Sequence, residues 1–326
     1  MMTDTNKNEV QINCRKVVMI GCGFVGSASA FALMQSGLFS EMVLIDTDKN
    51  RAEGEAMDIS HGVPFARQMK IYAGDYDDIA DAALIIITAG ANQKPDETRL
   101  DLVHRNEAIM ISIIDQITSR DFGGILLIVS NPVDILTYTA LKQSGYPPNR
   151  VIGSGTVLDT GRLKYEVGEH LGVDSRSVHA FIIGEHGDSE LAVWSSAMIS
   201  GLPIDDFCEL RGYTDHEAAT ERIFQSVKNS AYEIIERKKA TYYGIAMAVC
   251  RICEAIVRDE KSILPVSSYM DGEYGLTDVV LSMPAVLGAN GVEKIIPVPL
   301  NEEELGKLKK SAELLQEIWR NTTTGS

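Results

Sequence analysis

The chain has 326 residues, 45% of them hydrophobic and 23% charged, which supplies a large core, suggests two domains and excludes a disordered polymer. Its 46 acidic against 30 basic side chains leave a formal charge of −16 with no basic run, so no nucleic-acid partner is expected. The five cysteines are odd in number and scattered, the start MMTDTNKNEVQINCRK lacks the apolar stretch of a signal peptide, and no segment is apolar enough to span a bilayer. These features predict a cytoplasmic protein with reduced thiols and no membrane contact.

From Lys16 onward short apolar runs alternate with helix-like stretches: VVMI (17–20), MVLI (42–45), LIIIT (84–88), ILLIVS (125–130) and RVIG (150–153). Runs this short and apolar suit strands buried on both faces, so the first half reads as a doubly wound α/β domain with a parallel sheet, residues 1–153. Beyond it the pattern changes to long helices near 215–237 and from Tyr243 to Arg258, mixed with strands such as VHAFIIG and VVLSMPAVLG. Residues 154–326 therefore read as a second, α+β domain. The terminal stretch NEEELGKLKKSAELLQEIW has helical spacing, with Leu305, Leu308, Leu314, Leu315 and Trp319 available to dock it on that domain.

VVMIGCGFVGSASAFAL places Gly21, Gly23 and Gly26 after a strand and at the start of a helix. Gly21 permits the tight turn, Gly23 the approach of a pyrophosphate, and Gly26 close packing of helix on strand. The second strand runs into Asp46, 20 residues after Gly26, where a carboxylate accepts from ribose hydroxyls. With Asp48 close behind, it repels a 2′-phosphate, so NAD rather than NADP is the expected cofactor.

The stretches GCGFVG, TAGANQKPDETRLDLVHRN, VSNPVD, GTVLDTGRLKY, IIGEHGDSE and KKATYYGIAMA occur in order over both halves. On these motifs the chain resembles the L-lactate and malate dehydrogenase family from about Lys16 to the C-terminus. The resemblance implies a Rossmann fold and hydride transfer between a nicotinamide and C2 of a 2-hydroxy or 2-oxo acid. It assigns proton transfer to His186, which stands at the end of an apolar strand between Gly184 and Gly187, with Asp159 on the other ring nitrogen. Arg162, three residues past Asp159 in a helix-like stretch, matches the position that grips the substrate carboxylate through two hydrogen bonds. Arg99, in a loop with Gly90 and NQKPDET, matches the arginine that polarises the ketone oxygen when the loop closes. Asn131 and Thr241 complete the polar lining, and Ile245 packs against the nicotinamide. Val25, Arg51, Tyr76, Ala91, Ser112 and Val129, with Gly90, are carried over as further NAD-side positions.

Within the resemblance Gln93 decides the substrate, since malate-specific relatives typically carry arginine there. A closed site with Arg162 serving one carboxylate leaves a second carboxylate without a counter-charge. Gln93, with Thr241 narrowing the pocket, implies the lactate branch and pyruvate, while bulkier 2-oxo acids stay open. Asp96 departs from the glycine usual in bacterial relatives, and either stiffening of the lid or added repulsion of dicarboxylates follows from it. The family further implies a homotetramer and, at Lys164 and His179, a site for fructose 1,6-bisphosphate between subunits, with lysine in place of the usual arginine and its bidentate fork. No metal is implied: Cys250 and Cys253 form a CxxC inside a helical run, and packing explains them. His61, His104, His170 and His216 carry no comparable motif.

Overall fold

The computed structural model describes residues 12–91, 99–213 and 215–323, with the side chains of 99, 217, 322 and 323 left out of that description. The first half runs β1 (Asn13–Ile20), α1 (Phe24–Ser36), β2 (Glu41–Ile45), α2 (Lys49–His61), β3 (Lys70–Ala73), β4 (Ala82–Ile87), α3 (Arg99–Thr118), β5 (Ile125–Ile128), α4 (Val133–Ser144) and β6 (Val151–Gly153). The second half begins with α5 (Val157–Leu171), the two-residue strands β7 (Val178–His179), β8 (Ile182–Ile183), β9 (Leu191–Ala192), β10 (Met198–Ile199) and β11 (Leu202–Pro203), and α6 (Ile204–Leu210). It continues through α7 (His216–Lys238), α8 (Tyr243–Val257), β12 (Ser262–Asp271), β13 (Thr277–Gly288) and β14 (Gly291–Ile295) to α9 (Glu302–Thr323). Among the described residues no helix is long and apolar enough to cross a membrane.

Strands β3, β2, β1, β4, β5 and β6 lie side by side in that order, with parallel pairing throughout. This doubly wound order reverses direction between β1 and β4, and the crevice beyond the carboxyl ends of those strands is where such sheets bind ligands. Alternate residues of each strand feed opposite layers, as the two-residue period of a strand requires. Val17, Met19, Leu84, Ile86 and Leu127 pack with α1, α2 and α8, whereas Val18, Ile20, Ile85, Ile87 and Leu126 pack with α3 and α4. The near-continuous apolar runs follow from this burial on both faces.

The second half forms two small antiparallel sheets of its own, β11–β10–β7 and β8–β9, but its longest strands join the sheet of the first half. Antiparallel β12, β13 and β14 extend the parallel sheet past β6, with Ser267 opposite Gly153, and α8 packs against α1. The segment VHAFIIG forms two short strands rather than one, because Val178 pairs with Ile199 while Ile182 pairs with Ala192 in a different ribbon. Helix α9 reaches across to the first half: Trp319 meets Tyr138 of α4 edge to face at 4.5 Å, Leu308 and Leu315 are buried, and Leu314 is exposed. Cys253 is buried and Cys250 half-buried among the apolar contacts of α8, and all five cysteines are free thiols.

The junction from α7 to α8 is backbone-strained. Lys239 caps α7 in the left-handed conformation at φ 74°, where a side chain costs about 1 kcal/mol and glycine costs nothing comparable. Lys239→Gly is accordingly expected to raise the unfolding free energy by about 1 kcal/mol in a denaturant titration; an unchanged or lower midpoint would show that the strain is relieved elsewhere.

Candidate active site

Two threonines tie the start of α5 to β8, the strand that leads to His186. Thr156 donates through Oγ1 to the Ile182 carbonyl at 2.5 Å, and the Ile182 N–H donates to Thr160 Oγ1 at 2.9 Å. Asp159 lies between them in the first turn of α5, 2% exposed. The His186 loop is fixed further by its own backbone: Gly184 exchanges two 2.9 Å hydrogen bonds with Ser282 of β13, and the Glu185 N–H donates to Ser311 Oγ of α9 at 2.8 Å.

These anchors bring His186 Nδ1 to 2.6 Å from Asp159 Oδ2 and Arg162 Nη1 to 2.7 Å from Asp159 Oδ1. One buried carboxylate thus holds a histidine and an arginine, one on each oxygen. Burial alone would raise the Asp159 pKa, but the facing His186 and Arg162 outweigh it and hold the carboxyl below its ordinary value. Burial likewise works against a charged His186, yet the Asp159 carboxylate prevails and pushes the imidazole up to about 9. With Nδ1 bonded to Asp159, Nε2 is the nitrogen left for a ligand oxygen. Arg162 uses one of the five N–H donors of a guanidinium on Asp159. The three side chains line a cavity of about 240 Å³ closed on its other side by α7, through Val227, Lys228 and Tyr232.

Asp134, in VSNPVD, was not legible as a site residue. It is buried and accepts from the His186 N–H at 2.7 Å and from Ser267 Oγ at 2.5 Å, while burial pushes its carboxyl up to about 6. Asn106 of α3 was missed as well. Its amide accepts from the Ala91 N–H at 2.7 Å and donates to the Asn131 carbonyl at 2.9 Å, joining the segment after β4 to the segment after β5.

At the glycine-rich turn the backbone itself dictates the residues. Gly21 has φ +100°, and a Cβ there would stand 2.5 Å from the Ala89 nitrogen; a Cβ on Gly26 would stand 1.9 Å from the Gly21 carbonyl oxygen. A Cβ on Gly23 would meet nothing within 4 Å, and as N-cap of α1 Gly23 offers no side-chain acceptor to the helix N–H groups. The turn is therefore an open cradle with backbone donors and the positive end of a helix dipole, which fits a pyrophosphate. Beside it Asp46 accepts from the N–H groups of Cys22 at 2.7 Å and Asp48 at 2.9 Å. These bonds orient the carboxylate at the edge of a 260 Å³ hollow that it shares with Lys49, Gly74 and Asp75, and its remaining lone pairs can serve ribose hydroxyls. A dinucleotide thus fits the residues present.

The other sequence-derived positions spread along this crevice. Val25 and Ile245 are half-buried and pack on one apolar layer, which also contains buried Val129. Thr241 is half-buried between α7 and α8, and the next residue, Tyr242, stacks on Phe24 of the glycine-rich turn at 5.4 Å. Asn131 is exposed beyond β5, as are Gly90 beyond β4, the Arg51 side chain on α2 and Ser112 on α3. Half-buried Tyr76 lies beneath Arg120 at 5.5 Å. Lys164 is half-buried on α5, with burial lowering its ammonium pKa, and His179 is exposed on β7, which packs against that helix. Gln93 and Asp96 lie outside the described residues, and Arg99 enters only through its backbone, as the first residue of α3.

Asp134→Ala strands the two donors that carboxylate accepts and is expected to cost about 2–4 kcal/mol of stability, with Asp134→Asn costing less because one acceptor oxygen remains. Chemical unfolding of both variants checks this, and equal losses would remove the hydrogen-bond explanation.

Comparison with known proteins agrees over nearly the whole chain. Residues 15–153 match the lactate/malate dehydrogenase NAD binding domain, and residues 156–324 match the lactate/malate dehydrogenase alpha/beta C-terminal domain. The L-lactate dehydrogenase of Acetivibrio thermocellus is 55% identical over 96% of this chain and 98% of its own, and that of Priestia megaterium is 50% identical over 95% and 98%. Among solved structures, a lactate dehydrogenase from a Medee basin deep-sea metagenome library superposes with a TM-score of 0.93 at 49% identity, covering 95% of this chain and 99% of that one. The minor L-lactate dehydrogenase of Enterococcus mundtii in its ligands-bound form gives 0.92 at 43% identity, covering 96% and 99%. The fold, the glycine-rich turn and the matches over both halves place this chain in the lactate/malate dehydrogenase family.

Proposed function

We propose that the chain is an NAD-dependent L-lactate dehydrogenase that interconverts pyruvate and (S)-lactate, with residues 1–153 holding the dinucleotide and 154–326 the substrate. The observation that carries this reading is the pairing of His186 and Arg162 on the single carboxylate of Asp159. Bound NADH supplies the hydride that reaches C2 of the keto acid. His186 Nε2 gives a proton to the ketone oxygen, and Asp159 stabilises the imidazolium before transfer and keeps the ring in the tautomer that the reverse reaction needs. Arg162 turns free donors of its fork to the substrate carboxylate. Arg99 polarises the ketone oxygen as the segment bearing Gln93 and Asp96 closes, and Asn131 and Thr241 shape the rest of the pocket.

Neutral Gln93 leaves a second carboxylate uncompensated, which favours pyruvate over oxaloacetate. The exposed apolar side chains Met57, Phe65, Tyr243 and Met247 suit subunit contacts, in keeping with a homotetramer working in the cytoplasm at the end of fermentation or glycolysis. Lys164 and His179 are assigned to fructose 1,6-bisphosphate, where lysine acts as a point charge without the arginine fork.

NADH oxidation followed in parallel with pyruvate, oxaloacetate and 2-oxoisocaproate tests the reading. Pyruvate is expected to lead, Gln93→Arg to move preference toward oxaloacetate by at least about tenfold, and the sugar bisphosphate to lower the pyruvate KM. Oxaloacetate leading in the unaltered protein would overturn the substrate assignment, and a flat response to the bisphosphate would remove the activator site.

A further inference from the structure

Glu190 is 8% exposed in the wall of the cavity that holds His186. Its N–H donates to the Gly187 carbonyl at 3.2 Å, a tight turn that brings its side chain to the same cavity as Asp159 and Arg162. A carboxyl oxygen of Glu190, one of Asp159 and a ring nitrogen of His186 lie within 4.8 Å of one another. Two carboxyls that close in a poorly hydrated pocket do not both ionise freely, and the bonds from His186 and Arg162 give the charge to Asp159. Facing Glu190 are Asp159 and Arg162 from α5, His186 and Asp188 from its own loop, and Lys228 and Tyr232 from α7. Asp134 of α4 lies against the His186 backbone, with Glu185 close to it.

We propose that Glu190 is a positioning residue of the proton-transfer site: its carboxyl places a second, switchable negative charge beside His186, so that the imidazole keeps its proton to higher pH than Asp159 alone would allow. The inference rests on His186 as the proton donor. Burial and the Asp159 charge push the Glu190 carboxyl up to about 8. Near neutrality it is a neutral acid and does not repel a carboxylate bound at Arg162. As the pH rises it ionises, and the new charge stabilises the imidazolium.

Glu190→Gln keeps the shape and removes the switch. The measurement is the His186 ring resonance in the full-length protein without substrate, labelled at histidine, assigned by its loss in His186→Asn and followed with pH. The variant is expected to titrate at least about half a pH unit below the unaltered protein, and the ratio of pyruvate kcat/KM at pH 9 to that at pH 7 to fall at least about twofold. Superimposable titration curves would overturn the proposal, whatever the substrate. A lowered resonance midpoint with an unmoved rate ratio would support the coupling and count against His186 as proton donor, so the two readings fail separately. If Glu190→Gln does not fold, Glu190→Ser carries the same comparison.

Discussion

Everything at the site depends on one buried carboxylate, Asp159, whose two oxygens are held by His186 and Arg162. An isolated charge at that depth would cost several kcal/mol, so the aspartate keeps its charge only because two cationic partners face it. The same balance holds the imidazole in its protonated form and fixes its orientation. Removing either partner would leave one Asp159 oxygen without its donor and weaken the charge balance that keeps the carboxylate ionised, which makes the three residues a unit. The geometry comes from the fold: Thr156 and Thr160 fasten α5 to β8, so the first turn of the helix and the end of the strand move together.

The second constraint is continuity between the two ends of the crevice. The sheet does not stop at β6 but continues through β12 to β14, and the His186 loop is hydrogen-bonded to β13 and α9. On the dinucleotide side, Asn106 links the segments after β4 and β5, and Phe24 stacks on Tyr242 next to Thr241. The two halves therefore share backbone and side-chain contacts where cofactor and substrate would meet. Such an arrangement would let packing set the distance between a bound dinucleotide and His186.

The buried strands were legible because burial on both faces leaves apolar runs with no competing interpretation. The glycine-rich turn was legible because close backbone approaches at Gly21 and Gly26 exclude a side chain. Strand β3 was not: KIYA is short, half-buried and begins with an exposed lysine, so no apolar run marks it. The continuation of the sheet into the second half was not legible either, since strand pairing across the Ser267–Gly153 contact has no local signal. Asp134 and Glu190 show the same limit within the site. Asp134 meets the His186 backbone across 52 residues of sequence, and Glu190 reads as an ordinary surface acid until the cavity is seen around it. Gln93 and Asp96 were legible only through resemblance, and the described residues add nothing to them.

The central claim is that Asp159 holds His186 as the acid in one direction and the base in the other. The most direct measurement is the pH dependence of kcat/KM in both directions under saturating cofactor. A raised imidazole pKa near about 9 means that the proton is present below that pH and lost above it. Pyruvate reduction should therefore hold steady up to that range and fall beyond it, while lactate oxidation rises through the same range. Limbs of the same sign in both directions, or limbs that persist in His186→Asn, would contradict the account.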